Sequence, residues 1–111
     1  MAIKIVVSDL VGFKVAGTIN DEAGVPQPFD FKLTCVRLDA DQITAKLKAE
    51  NDASFTDFMV DVVRGWSGPR DEDDKALEFT EAAYRKLCKI PGVAALAFRT
   101  YLKEVGAKEK N

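Results

Sequence analysis

Histidine is absent from this chain of 111 residues. The commonest general base and the commonest transition-metal ligand are thereby missing together. Cysteine is nearly absent as well. Cys35 and Cys88 stand far apart in apolar surroundings, without a C-x-x-C partner and with no imidazole to activate a thiol. Both read as buried free thiols of a reducing compartment, with a disulfide as the unsupported alternative. No run approaches the roughly 18 apolar residues of a membrane span. The opening MAIKIVVSDL has too short an apolar run and no small-residue cleavage site, so it is not a signal peptide, and the chain is expected to be cytoplasmic.

A formal charge of −2 and scattered basic residues argue against a nucleic-acid binder, which would carry a basic stripe. Neither G-x-G-x-x-G nor a P-loop occurs. The acidic residues 71–74 invite a calcium loop, but an EF-hand opening at Asp71 needs Gly at its sixth position and Glu at its twelfth. Those positions hold Ala76 and Ala82, and Lys75 stands where an oxygen ligand belongs. A solvated loop is the better reading. Asp57 and Asp61 lie four apart on a polar helix face and read as surface charge, not an acid/base pair. The sequence thus offers no catalytic, cofactor-binding or metal-binding set, and by elimination it points to a surface that binds protein.

What is present reads as one α+β domain over residues 1–111, an N-terminal antiparallel β-hairpin packed on about four helices. At 47% hydrophobic and 31% charged the chain is long enough to bury a single core. Residues 1–38 form the hairpin region, 39–106 the helical region and 107–111 a frayed tail. Residues 3–7 are β-branched and fit a short strand. Val11, Phe13, Val15, Gly17 and Ile19 then alternate with smaller or polar residues, and Phe29, Phe31, Leu33 and Cys35 do so again. The turn formers Asn20, Gly24, Pro26 and Pro28 separate the two runs.

The first helix is expected near Asp39, with Gln42 closing a capping box and Leu38 stapled to Ile43 across it. Residues 51 and 52 punctuate it before the stretch that organises the chain, residues 54–79. There Ser54 caps a helix whose inward stripe is Phe55, Phe58, Met59, Val62 and Val63. Gly65 is read as its left-handed stop, which would fold Trp66 back near Val60 as a core anchor. Thr80 caps a third helix with Ala83, Tyr84, Leu87 and Cys88 inward. After Pro91 and Gly92 a fourth helix carries Val93, Leu96, Ala97, Phe98, Tyr101, Leu102 and Val105 to its end at Gly106. A DNA-recognition helix would present polar side chains in its first turns, and this one presents Val93, Ala94, Ala95 and Leu96. Its apolar face covers more than half the circumference, so either it is the central helix or one side meets another chain. The candidate partner contacts are Trp66, Phe98, Tyr101 and Leu102.

The order of these landmarks resembles a known family. An F-x-F strand at Phe29 and Phe31 is followed by Arg37 and Leu38 opening a helix. A phenylalanine-rich helix then ends in Gly65-Trp66, and the acidic loop, Phe79-Thr80, the P-G-V turn at residues 91–93 and an alanine-rich helix with Tyr101 complete the series. This is similar to the small tail assembly chaperones of long-tailed bacteriophages and prophages, and it departs from them at Asp74 and Ala76, where relatives tend to place Gly and Pro. The resemblance implies a non-enzymatic protein, often an oligomer, that coats the tape-measure protein and helps recruit tail-tube subunits. It carries over no catalytic residue. It also implies a longer product made by a −1 ribosomal slip, with which Lys110-Asn111 is compatible through an A-AAA-AAC heptamer. Another phage structural or connector protein, or a small enzyme or regulator with a scattered site, are the readings from other classes.

Overall fold

A computed structural model describes residues 3, 5, 7–49 and 54–109. Among them are a three-stranded antiparallel sheet and four helices, an α+β architecture. The strands are β1 (Leu10–Asn20), β2 (Pro26–Val36) and β3 (Val63–Ser67), in spatial order β1-β2-β3. The helices are α1 (Ala40–Ala49), α2 (Phe55–Val62), α3 (Glu81–Leu87) and α4 (Val93–Val105).

The hairpin follows from its alternation. Val11 pairs with Cys35, Phe13 with Leu33, Val15 with Phe31 and Gly17 with Phe29, so each apolar residue meets an apolar partner across the ladder. The first three pairs are buried on one face, whereas Gly12, Lys14, Lys32 and Thr34 face solvent. Asp21 shapes the turn, its Oδ1 accepting from the amides of Ala23 and Val25 at 2.9 and 3.0 Å, and Gly24 takes φ 80°.

Helix starts fall where the cap residues place them. Asp39 Oδ1 accepts from the Gln42 amide at 2.7 Å while Gln42 Oε1 accepts from the Asp39 amide at 2.9 Å, a complete capping box. Ser54 and Thr80 cap α2 and α3 through the amides of Asp57 and Ala83. Helix α4 packs on β1 and on α2, and α2 also meets α3. The core joins the inner sheet face to Phe58, Met59, Val62, Tyr84, Val93, Ala97, Tyr101 and Val105.

Three expectations are corrected. Helix α2 ends at Val62, and the chain enters β3 at once, pairing Trp66 with Leu33 and Val63 with Cys35 around a bulge at Thr34 and Cys35. Gly65 is therefore a strand residue, and the glycine that follows at positive φ is Gly68, at 116°, where an added Cβ would lie 3.1 Å from Phe31. No strand forms at Ile3, Ile5 or Val7, which are exposed; residues 4 and 6 lie outside the described set, as do 50–53 and 110–111, where an interhelical break and the slip site were placed. Phe55, assigned to the inward stripe of α2, is 48% exposed.

Candidate protein-binding surfaces

Tyr101 and Arg37 fasten the last helix to the sheet. Tyr101 is fully buried; its hydroxyl donates to the Val36 carbonyl at 2.8 Å and accepts from the Leu38 amide at 3.1 Å. Its ring lies 6.1 Å from Phe13 and 6.0 Å from Phe58. Arg37 donates through Nη1 to the Val105 carbonyl at 2.8 Å, covering the C-terminal end of α4, and through Nε to Ser8 O at 3.1 Å. Tyr101 is thereby removed from the partner candidates, because no face of it is open to another chain.

The remaining three candidates fall on two surfaces. On the side where α2 meets α4, Phe98 is half-buried, edge-on to Phe58 at 5.0 Å and stacked with Phe55 at 4.7 Å. Leu102, one turn further along α4, is half-buried on the same side. Phe55 is the more open of the pair. Lys46 of α1 reaches α2 here, bonding Asp61 at 2.6 Å with its ammonium 5.3 Å from the Phe58 ring centre.

Trp66 lies apart from that surface. Its Nε1 donates to the Leu77 carbonyl at 2.8 Å, and its ring packs edge-on against Phe79 at 5.3 Å and tilted toward Tyr84 at 6.2 Å. Its half-open flank lines a groove of about 650 Å³ between the acidic loop and α3, with Pro69, Leu77, Leu87 and Ile90 as apolar walls. The loop itself is tightly built. Asp71 Oδ1 accepts from the amides of Asp73 and Lys75, Arg70 pairs with Ala76, and Asp74 turns the chain at φ 61°. The acidic run is therefore a shaped rim of exposed residues, with the Asp71 carboxylate turned into the loop.

Burial pushes the Cys35 thiol up to about 12 and raises Cys88 as well, leaving both as poor nucleophiles. Among the described residues no group of His, Cys, Asp and Glu could hold a metal ion, and no helix is long and apolar enough to cross a membrane. Sequence reasoning missed Phe55 as a surface residue, since its spacing placed it inward. It also missed Ile90 and Leu87 as groove walls, because the groove exists only once β3 brings Trp66 beside α3. Comparison with protein-family models, curated proteins and solved structures returned no match.

Proposed function

We propose that this protein is a non-enzymatic tail assembly chaperone of a long-tailed bacteriophage or prophage, acting in the host cytoplasm. It binds the tape-measure protein, helps recruit tail-tube subunits and works as a homo-oligomer, without nucleic acid, membrane or cofactor. In this reading the hairpin is the platform on which the helices bundle, and the α2–α4 side is the partner face. The order of sequence landmarks supports the family. The observation that carries a binding role is the stacked pair of Phe55 and Phe98, with Phe55 48% exposed, next to Leu102. Aromatic side chains of this kind anchor protein interfaces, since a ring buries a large area at small conformational cost.

Co-expression with the tape-measure protein of the same gene cluster tests the proposal by size-exclusion chromatography. The wild-type chain is expected to co-elute with it. Phe55→Asp is expected to stay folded, because the side chain lies at the surface, and to lose co-elution. A wild-type chain that co-elutes with neither tape-measure nor tail-tube protein would sink the proposal.

A further inference from the structure

The sheet ends on two edge strands of unlike build. Strand β3 is 5 residues long, meets β2 through a bulge and is followed by Gly68 and Pro69. Strand β1 runs for 11 residues in an unbroken register. Natural edges are blunted by shortness, bulges, proline or charge, and of these β1 carries Lys14 alone.

The hydrogen bonds of the hairpin fix which of its backbone groups face outward. Just beyond its two ends the Arg37 amide donates to Asp9 O at 2.8 Å and the Asp21 amide to Val25 O at 3.0 Å, each between residues directly opposite in the register. Bonded and unbonded pairs alternate along an antiparallel ladder, so the odd-numbered residues of β1 bond β2. Pro26 and Pro28, which have no N–H to give, stand opposite the even-numbered Asn20 and Thr18. Gly12, Lys14, Ala16 and Thr18 therefore direct N–H and C=O to the free edge, where no strand among the described residues pairs with them. At Leu10 the edge is shut, because Ser8 Oγ donates to its carbonyl at 2.7 Å.

Helix α4 roofs this edge. It lies over β1, with Leu96 against Gly17 and Tyr101 beside Phe13. Phe98 turns toward α2, whereas Leu96 and Arg99 border a hollow of about 160 Å³ with Thr18 and Ile19. Lys103 follows Arg99 one turn along the same side. A helix about 10 Å wide over a strand reaches about 5 Å past it, the spacing at which one more strand pairs.

The slot between helix flank and strand edge is basic. Lys14, Arg99 and Lys103 are exposed, and among the described residues none of them has an ion-pair partner. Lys32 stands directly opposite Lys14 on the open face of the sheet. Asp30, the only carboxylate on the two strands, lies away from the edge, opposite Ala16.

We infer that the free edge of β1 takes an acidic, extended segment of a partner protein as a fourth strand. About seven residues of it pair along residues 12–18, with side chains alternating between two sides. Toward α4 they meet Leu96, Arg99 and Lys103; on the open face a carboxylate meets Lys14 and Lys32. A second copy's β1 is the poorer occupant, since two-fold pairing sets the cations of one edge against the same cations of the other. This edge is separate from the Phe55 and Phe98 surface, and the inference does not depend on what that surface binds.

A peptide of about seven alternating Glu and Val residues, titrated onto the isotope-labelled full-length chain, tests it by amide NMR and hydrogen exchange. In the free chain the amides of Gly12, Lys14, Ala16 and Thr18 should exchange fast and those of Phe13, Val15 and Gly17 slowly. The peptide should saturate below about 1 mM and protect the first set. The same peptide N-methylated throughout, and a Lys–Val peptide of equal length, should each bind at least about tenfold more weakly. Lys14→Glu/Arg99→Glu should reverse the preference between the Glu and Lys peptides. Ala16→Pro removes an N–H that β2 does not use and should abolish binding; if it unfolds, the charge reversal and the N-methylated peptide decide. Phe55→Asp should bind the peptide as wild type does, so this site and the proposed tape-measure contact are read apart. No saturation at about 1 mM, equal binding of the Glu and Lys peptides, or shifts confined to the Trp66 groove overturn the inference. Protection of the same four amides in a free chain that sediments as a dimer gives the edge to a second copy and overturns it as well.

Discussion

Trp66 has two duties that mutation can separate. Its ring fills the space between Phe79 and Tyr84, and its Nε1–H is the hydrogen-bond donor to the Leu77 carbonyl. Trp66→Ala removes both, at a cost of about 3 kcal/mol, the lower end for a large aromatic because one flank already faces the groove. Trp66→Phe keeps most of the packing and deletes the bond, so a loss of about 1 kcal/mol is expected. Urea unfolding of the two variants reads the difference. Equal losses would show that the bond to Leu77 contributes nothing, and a near-wild-type Trp66→Ala would show that the ring does not support the fold. The core-anchor role was legible in the sequence, where a lone tryptophan follows a helix. Its neighbours were not, because Val60 was chosen on the premise that the chain turns back at Gly65.

At the scale of elements, what could be read depended on whether the stabilising partner is local. The hairpin and the starts of α1, α2 and α3 rest on alternation and caps within a few residues, and they stand where those signals put them. Strand β3 has no such signal. Val62 and Val63 continue the helical pattern, Gly65 resembles a stop, and only pairing with β2 some thirty residues away makes residues 63–67 a strand. The same non-local pairing creates the Trp66 groove, so that surface was hidden for the same reason. The junction of β2 with α4 was hidden too, because Tyr101 reads as one more apolar residue of its helix. Its hydroxyl nevertheless satisfies both Val36 O and Leu38 N, which lie where β2 ends and no ladder continues. Tyr101→Phe leaves both backbone groups unpaired inside the protein and should cost about 2 kcal/mol. Faster hydrogen exchange at the Leu38 amide should accompany it. Unchanged exchange there, with unchanged stability, would mean the hydroxyl is dispensable.

For the molecule as a whole, missing histidine and the placement of its titrating groups set how stability follows pH. No side-chain type in the chain has an ordinary pKa between about 4.3 and 8.5. The shifts at the perturbed groups lead away from neutrality. At Asp57 the hydrogen bond from Arg85 lowers the carboxyl, and at Asp21 the Val25 amide does the same. Each favours the folded state above the ordinary carboxylate range and loses that effect as acid is added. On the alkaline side, burial raises Cys35 from 9.0 to about 12, and it also raises Tyr84, whose hydroxyl has no acceptor beyond the weak thiol of Cys88. These groups stay protonated in the folded chain while the unfolded chain releases their protons above about pH 9. The folded state then binds more protons, and stability falls as pH rises. Urea midpoints should be flat from about pH 5 to 8 and then decline, by about 1.4 kcal/mol per pH unit at most from Cys35 alone. Cys35→Val, apolar and of similar size, should shallow the decline between about pH 9 and 12 without altering the plateau. A slope near neutral pH, or an alkaline limb identical in wild type and Cys35→Val, would show that burial of these neutral groups does not govern the fold's response to base.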